Sequence, residues 1–321
     1  MEVVRVNYPK NIDGKDFPPL VMALGYFDGV HLGHQKVIGE AKAIADKKGW
    51  KSGVLTFDPH PSIVLGNDSR RVDLITSYES KVAEIEKLGI DYLFIIHFTK
   101  DFADLLPQDF VDQFLIDLNV RHVVAGFDYT YGQLAKGTAE TLRKHGRGRF
   151  QTTIISKESY HGEKVSSTLI RSYILKGDME YIPSLLGRYY SINGTVIHGD
   201  KRGRTIGFPT ANIESDNALL LPPQGVYAVR IKVDDVWFNG VCNVGTKPTF
   251  HPDKTTQSIE THIFQFNQEI YEKKIELEWH LRIRSEKKFN GINELVAQIE
   301  KDKQTAIDYF EKITTVIKNN Q

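Results

Sequence analysis

The chain lacks the features that mark disulfide scaffolds, membrane proteins and nucleic-acid binders. One cysteine, Cys242, stands among 321 residues, so neither an intrachain disulfide nor a thiolate metal cluster can form. No apolar run approaches the roughly 18 residues of a membrane-spanning helix. The opening MEVVRVNYPK leads into no apolar signal-peptide core. Charge of one sign is also missing: 41 Lys and Arg balance 41 Asp and Glu, and from Arg188 onward 18 basic residues face 17 acidic ones. Nucleic acid and anionic membranes select for a basic surplus, so neither is expected as a partner. Internal repeats and low-complexity tracts are absent as well. What is present is 40% hydrophobic and 26% charged, an ordinary globular composition, long enough for about two domains. The simplest expectation is a cytoplasmic protein, a monomer or weak homo-oligomer, with small-molecule substrates.

Patterning divides the chain near Gly187. Before it, the apolar runs Leu20–Leu24, Gly53–Phe57, Tyr92–Ile96, His122–Ala125 and Thr152–Ile155 read as buried strands. Helical stretches at Gln35–Lys47, Tyr78–Leu88, Pro107–Leu118 and Ala139–Lys144 separate them. In Gln35–Lys47, Val37, Ile38, Ala41, Ile44 and Ala45 recur at helical spacing. Strand–helix alternation predicts right-handed crossovers and a mostly parallel sheet covered on both faces. Ser167–Lys176 and Met179–Leu186 read as two short helices around Gly177-Asp178. After Tyr190 the strands Ser191–Val196, Val226–Asp234, Trp237–Val244, Ser258–Phe266 and Lys274–Leu281 are joined by turn residues, which predicts an antiparallel barrel or sandwich. Ile292–Ile317 predicts a closing amphipathic helix with Leu295, Ile299 and Ile307 on its buried stripe.

The densest chemical signal is Gly25-Tyr26-Phe27-Asp28-Gly29-Val30-His31-Leu32-Gly33-His34. It lies between the first buried strand and the first strong helix, where free backbone N–H groups make an anion site. His31 and His34 are three apart and share one face of a helical turn. Gly33 between them leaves room for a phosphate or base to approach the backbone. No GxxxxGK[ST] loop or dinucleotide fingerprint occurs, so a nucleotide here is held differently. This HxGH element marks the nucleotidyltransferase superfamily, and the whole string resembles the adenylyltransferase half of bacterial bifunctional riboflavin kinase/FMN adenylyltransferases. Thr56-Phe57-Asp58-Pro59-His60-Pro61, the segment Phe98 to Phe110, Gly126-Phe127-Asp128-Tyr129-Thr130-Tyr131-Gly132 and Val165-Ser166-Ser167-Thr168-Leu169-Ile170-Arg171 match further blocks in order.

The resemblance implies attack of an FMN phosphate oxygen on the α-phosphorus of ATP. That nucleophile is already competent, so positioning and charge stabilisation dominate. It places His31, His34 and Arg171 on the phosphates, Gly25, Phe27, Asp28, Gly33, Ser167 and Thr168 around ATP, and His60, Pro61 and Asp128 around the flavin. Ser167 can equally serve as a helix cap, and His60 as a turn residue. Many relatives carry arginine where this chain has Thr130 and Leu169, and some do at Lys164.

In the second half, Gly199, Gly203 and Gly207 alternate with Lys201, Arg202 and Arg204, a pattern that suits a flexible loop over phosphates. Thr210 and Asn212 are two apart on an extended segment, so their oxygens face one way and suit Mg²⁺ carrying substrate phosphates. Gly207-Phe208-Pro209-Thr210-Ala211-Asn212 resembles the riboflavin kinase signature, as do Gly225-Val226-Tyr227, Asn243 to Phe250 and Ile259-Glu260-Thr261-His262-Ile263. By that resemblance Thr210 and Asn212 hold Mg²⁺ and ATP, and Glu260 takes the proton of the ribityl 5′-hydroxyl. Glu272 stands where relatives commonly have glycine. Cys242, Trp237, Phe238 and Trp279 read as core or barrel cover.

The expected fold is therefore a Rossmann-like α/β nucleotidyltransferase domain over residues 1–186, followed by an antiparallel β-barrel riboflavin kinase domain with a terminal helix over residues 187–321. The expected function is FAD biosynthesis from riboflavin in two ATP-dependent steps, with Mg²⁺ as cofactor. Two alternatives stay open at this point: a kinase with weak or absent adenylyltransferase activity, and a non-catalytic flavin-binding paralogue.

Overall fold

The computed structural model describes residues 1–66, 73–199, 202–216, 218–248 and 255–319. The chain forms two compact units, Met1–Ser167 and Thr168–Gln321. The first is built on six parallel strands, β1 (Glu2–Val6), β2 (Leu20–Leu24), β3 (Lys51–Asp58), β4 (Tyr92–His97), β5 (Val120–Gly126) and β6 (Gln151–Ile155). Their order is β1-β4-β3-β2-β5-β6. Alternation explains the two-sided core. Leu20, Met22 and Leu24 pack into a layer with Phe110, Phe114 and Leu115, while Val21 and Ala23 face the other layer, with Val37, Ile38, Ala41 and Ala45. Those last four lie on α1 (Leu32–Lys48), which Gly49 ends in a left-handed conformation, its N–H closing on Ala45 and Asp46 carbonyls. Burying an aliphatic side chain of this size contributes about 1.5–3 kcal/mol, so this stripe alone seats the helix.

The strand order has a functional consequence. The chain runs from β2 outward through β3 and β4, then returns to β5 on the opposite side of β2. The connections after β2 and β5 therefore diverge and open a crevice at their carboxyl ends, where ligands of such sheets bind. Residues 25–31 and 126–129 flank that crevice. Two details differ from the sequence reading. Glu2–Val6 is a strand, the parallel edge partner of β4. The helix expected over Pro107–Leu118 is α-helical only over Pro107–Val111 and widens to a π-turn over Asp112–Ile116.

The second unit is a closed barrel of six strands, β7 (Tyr190–Ile197), β8 (Ala211–Ser215), β9 (Gly225–Val233), β10 (Val236–Pro248), β11 (Thr255–Ile263) and β12 (Lys274–Ser285). The order around it is β7-β8-β11-β10-β9-β12. Five of these strands were expected; β8 is the sixth, and it closes the barrel between β7 and β11. Trp279, Tyr227, Leu277 and Cys242 fill the interior, and burial pushes the Cys242 thiol up to about 12. The terminal helix Ile292–Asn319 buries Asp302, Ala306 and Phe310, whereas Leu295, Ile299 and Ile307 are half-buried. The expected stripe is thus corrected by a rotation, because a carboxylate occupies its centre. Asp302 accepts from Arg284 Nε at 2.9 Å and lies 2.8 Å from Arg284 Nη2.

Candidate active sites

In the parallel-sheet unit, the loop after β2 is wound tightly. Phe27, Gly29 and Val30 all have positive φ, at 59°, 83° and 40°. Two non-glycine residues in that region, one of them β-branched, store strain that the surroundings must hold. The hold is visible. Asp28 is buried, and its carboxylate accepts from Ile75 N–H at 3.1 Å and from Thr76 N–H at 3.2 Å. Gly29 N–H donates to Thr76 Oγ1 at 3.1 Å, and Ser167 Oγ donates to the Asp28 carbonyl at 2.9 Å. Asp28 is a brace for the loop, and the Phe27 ring is core. Ser167 opens the helix Ser167–Lys176 with its hydroxyl on the Asp28 carbonyl.

His31 caps α1: its Nδ1 accepts from His34 N–H at 3.2 Å. A neutral ring bonded this way carries its proton on Nε2. The His31 and His34 rings stack with centroids 3.5 Å apart, and His34 meets Phe27 edge-on at 5.3 Å. A Cβ on Gly33 would lie 3.1 Å from the His31 ring. Burial, then His31, Lys164 and Lys81, hold the His34 pKa well below the ordinary histidine range.

The other residues expected of the adenylyltransferase site lie on several elements. His60 caps the short helix Pro61–Leu65 through Nδ1 and packs its ring on Tyr26 at 4.2 Å. Asp128 is exposed and ion-paired with Lys164, whose ammonium lies 4.8 Å from the Phe127 centroid. Thr130 is exposed on the two-residue strand Thr130–Tyr131. Thr168 and Arg171 fall in the helix Ser167–Lys176. Lys81 escaped the sequence reading. It lies on α2 (Tyr78–Glu86) and is buried, with Nζ donating to the Phe57 carbonyl at 3.4 Å and 4.3 Å from the Tyr26 centroid. The available signal was a lysine four residues before Ile85, on the apolar stripe of its helix.

On the barrel, register assembles the site. Asn212 of β8 and Asn243 of β10 both pair directly with Glu260 of β11. Paired residues share a face, so Glu260 sits between two carboxamides on the outside of the barrel while Ile259 and Thr261 are buried inside. The covering segment is close. A Cβ on Gly199 would come within 2.2 Å of Asn212, and one on Gly203 within 2.2 Å of the Phe208 carbonyl and 3.5 Å of Thr210 Oγ1. The flexible loop expected here contains a helical turn, Arg202–Thr205, closed by Phe208 N–H on the Gly203 carbonyl at 2.8 Å. Gly207 has φ +86°. Lys201 and the side chain of Arg204 lie outside the described residues. His262, which the sequence reading did not single out, shares the Glu260 face and bonds the Pro209 carbonyl through Nδ1 at 2.9 Å. It ties the strand of Glu260 to the segment that presents Thr210.

A stacked histidine pair at a parallel-sheet crevice and a carboxylate among oxygen donors on a closed barrel define a two-domain, nucleotide-using transferase. Comparison with known proteins makes this specific. The FAD synthetase family matches residues 14–169, and the riboflavin kinase family matches residues 186–310. The bifunctional riboflavin kinase/FMN adenylyltransferase of Bacillus subtilis (strain 168) is 52% identical over 98% of this chain and 99% of its own length. That of Listeria monocytogenes is 47% identical over 98% and 99%. The chain belongs to the bifunctional riboflavin kinase/FMN adenylyltransferase family. A crystal structure described as a macrolide-efflux protein from Streptococcus pneumoniae superposes with a TM-score of 0.85 at 32% identity, covering 94% of this chain and 97% of that one. Among the described residues of the present chain, no helix is long and apolar enough to cross a membrane.

Proposed function

We propose how the residues of this chain divide the family's two reactions, phosphorylation of riboflavin to FMN and adenylylation of FMN to FAD, each with ATP. One observation carries the assignment. Barrel register sets Glu260 directly opposite both Asn212 and Asn243, a carboxylate between two carboxamides on one face.

On the barrel, Glu260 accepts the proton of the ribityl 5′-hydroxyl as its oxygen bonds to the γ-phosphorus and the bond to ADP breaks. Thr210 and Asn212 would hold Mg²⁺: a hydroxyl and a buried carboxamide oxygen are hard donors that fit a metal shared with phosphates. Bound there, Mg²⁺ would neutralise phosphate charge. Gly199, Lys201, Gly203, Arg204 and Gly207 form the covering phosphate loop. In the sheet unit, an FMN phosphate oxygen bonds to the α-phosphorus of ATP and pyrophosphate leaves. His31 donates from Nε2 to phosphate oxygens, neutral His34 lies stacked beside it, and Arg171 offsets charge on the leaving group. Gly25, Phe27, Asp28 and Gly33 shape the loop, Ser167 and Thr168 bind phosphate oxygen, and His60, Pro61 and Asp128 border the flavin. The domains divide near Gly187, the protein acts in the cytoplasm, and it works as a monomer or weak homo-oligomer.

The test separates the two sites. Glu260→Gln should lower riboflavin phosphorylation by about 100-fold or more and leave FAD formation from supplied FMN intact. His31→Ala should do the reverse. If one substitution abolishes both products, the division of labour is wrong. FMN accumulating without FAD in the unaltered protein would favour the kinase-only alternative.

A further inference from the structure

We propose that Lys81 binds a substrate phosphate in the adenylyltransferase site, as a cation held ready below the carboxyl ends of β2 and β3. Its position supports this. Phe57, whose carbonyl accepts a hydrogen bond from Lys81, is the next-to-last residue of β3, and Tyr26 lies two residues beyond the end of β2. Lys81 therefore lies under the carboxyl ends of two neighbouring strands, on the side of the sheet where ligands collect.

Its surroundings support it as well. The side chain is 5% exposed, yet Asp28 and Asp58 act on it only through space. The Asp28 carboxylate is already taken by the backbone of Ile75 and Thr76. An ammonium has three N–H donors, and among the described residues the Phe57 carbonyl at 3.4 Å and the face of Tyr26 receive them. Keeping a charged amine buried with so few partners is costly, and a well-placed anion would relieve that cost. Burial lowers its pKa to about 8, against the opposing pull of Asp28 and Asp58, and His34 feels the charge in turn. Phosphate arriving beside Lys81 raises that pKa again, so binding and protonation are coupled. FMN and ATP both carry phosphate, and the chemistry that recognises either is the same.

The test is Lys81→Met in the full chain, assayed separately for riboflavin phosphorylation and for FAD formation from supplied FMN and ATP. The expected result is a fall of at least tenfold in kcat/KM for FAD formation, with the kinase rate and the melting temperature kept. A raised KM for FMN alone assigns the flavin phosphate; a raised KM for ATP alone assigns the nucleotide. In the unaltered protein FAD formation should decline above about pH 8, and Lys81→Arg, which keeps the charge but cannot titrate, should move that decline to higher pH. FAD formation within twofold of the unaltered protein in Lys81→Met overturns the proposal, as does an alkaline decline that stays in place in Lys81→Arg. Should Lys81→Met melt early, the arginine variant decides. The proposal rests on the adenylyltransferase assignment. Retained FAD formation in His31→Ala would sink that assignment, whereas its loss there beside an unaffected Lys81→Met sinks this proposal alone.

Discussion

At the scale of single residues, backbone conformation explains one departure from the family pattern. Glu272, where relatives commonly have glycine, has φ 65°, and its N–H donates to the Val196 carbonyl at 2.8 Å. A side chain in the left-handed region is strained, and glycine removes the strain at some cost in unfolded-chain entropy. Glu272→Gly should therefore stabilise the protein by about 0.5–1 kcal/mol, read as a higher urea midpoint, with the riboflavin phosphorylation rate unchanged. A lower midpoint would mean that the glutamate side chain makes up for its backbone. The same reasoning makes Phe27 and Val30 more than links in a motif. Their positive φ is held by the Asp28 brace, so the loop geometry depends on a carboxylate that a motif reading places on ATP.

At the scale of elements, the terminal helix shows how one polar residue sets a packing face. A purely apolar pattern selects Leu295, Ile299 and Ile307, but the buried line runs through Asp302, Ala306 and Phe310 because Arg284 of β12 engages Asp302 from two nitrogens. Gln298 adds a hydrogen bond to the same carboxylate at 2.8 Å. Removing one partner of a buried pair leaves the other uncompensated. Asp302→Ala should destabilise the barrel unit by about 3 kcal/mol, seen as a lower melting temperature. A change under about 0.5 kcal/mol, the range of ordinary surface substitutions, would show that apolar contacts alone dock the helix.

At the scale of the whole molecule, four histidines share one tendency. Burial is the leading cause that lowers the pKa of His34, His122, His145 and His280. The unfolded chain then binds more protons than the folded one just below the ordinary histidine pKa of about 6.5. The stability these neutral rings contribute is complete above pH 6.5 and is lost as pH falls towards their depressed folded values. Calorimetric melting between pH 7.5 and 5.5 should show a steady drop on the acid side. A melting temperature that rises on acidification would contradict the sign.

Fold class and both motif sets were legible in the sequence, because strand and helix periods, turn residues and clustered glycines are local properties. Tyr78–Leu88 read correctly as a helix from its spacing, but nothing local says that Lys81 ends beneath β2 and β3. That Asn243 joins Asn212 beside Glu260 depends on barrel register, which is set by closure and not by any one strand. Sequence by itself determined most of the order of elements, the two chemistries and most of the residues to suspect. Tertiary structure decided which of those residues share a surface and which brace the loop. Contacts between residues distant in the chain are chosen by packing and hydrogen-bond satisfaction, which no local pattern encodes.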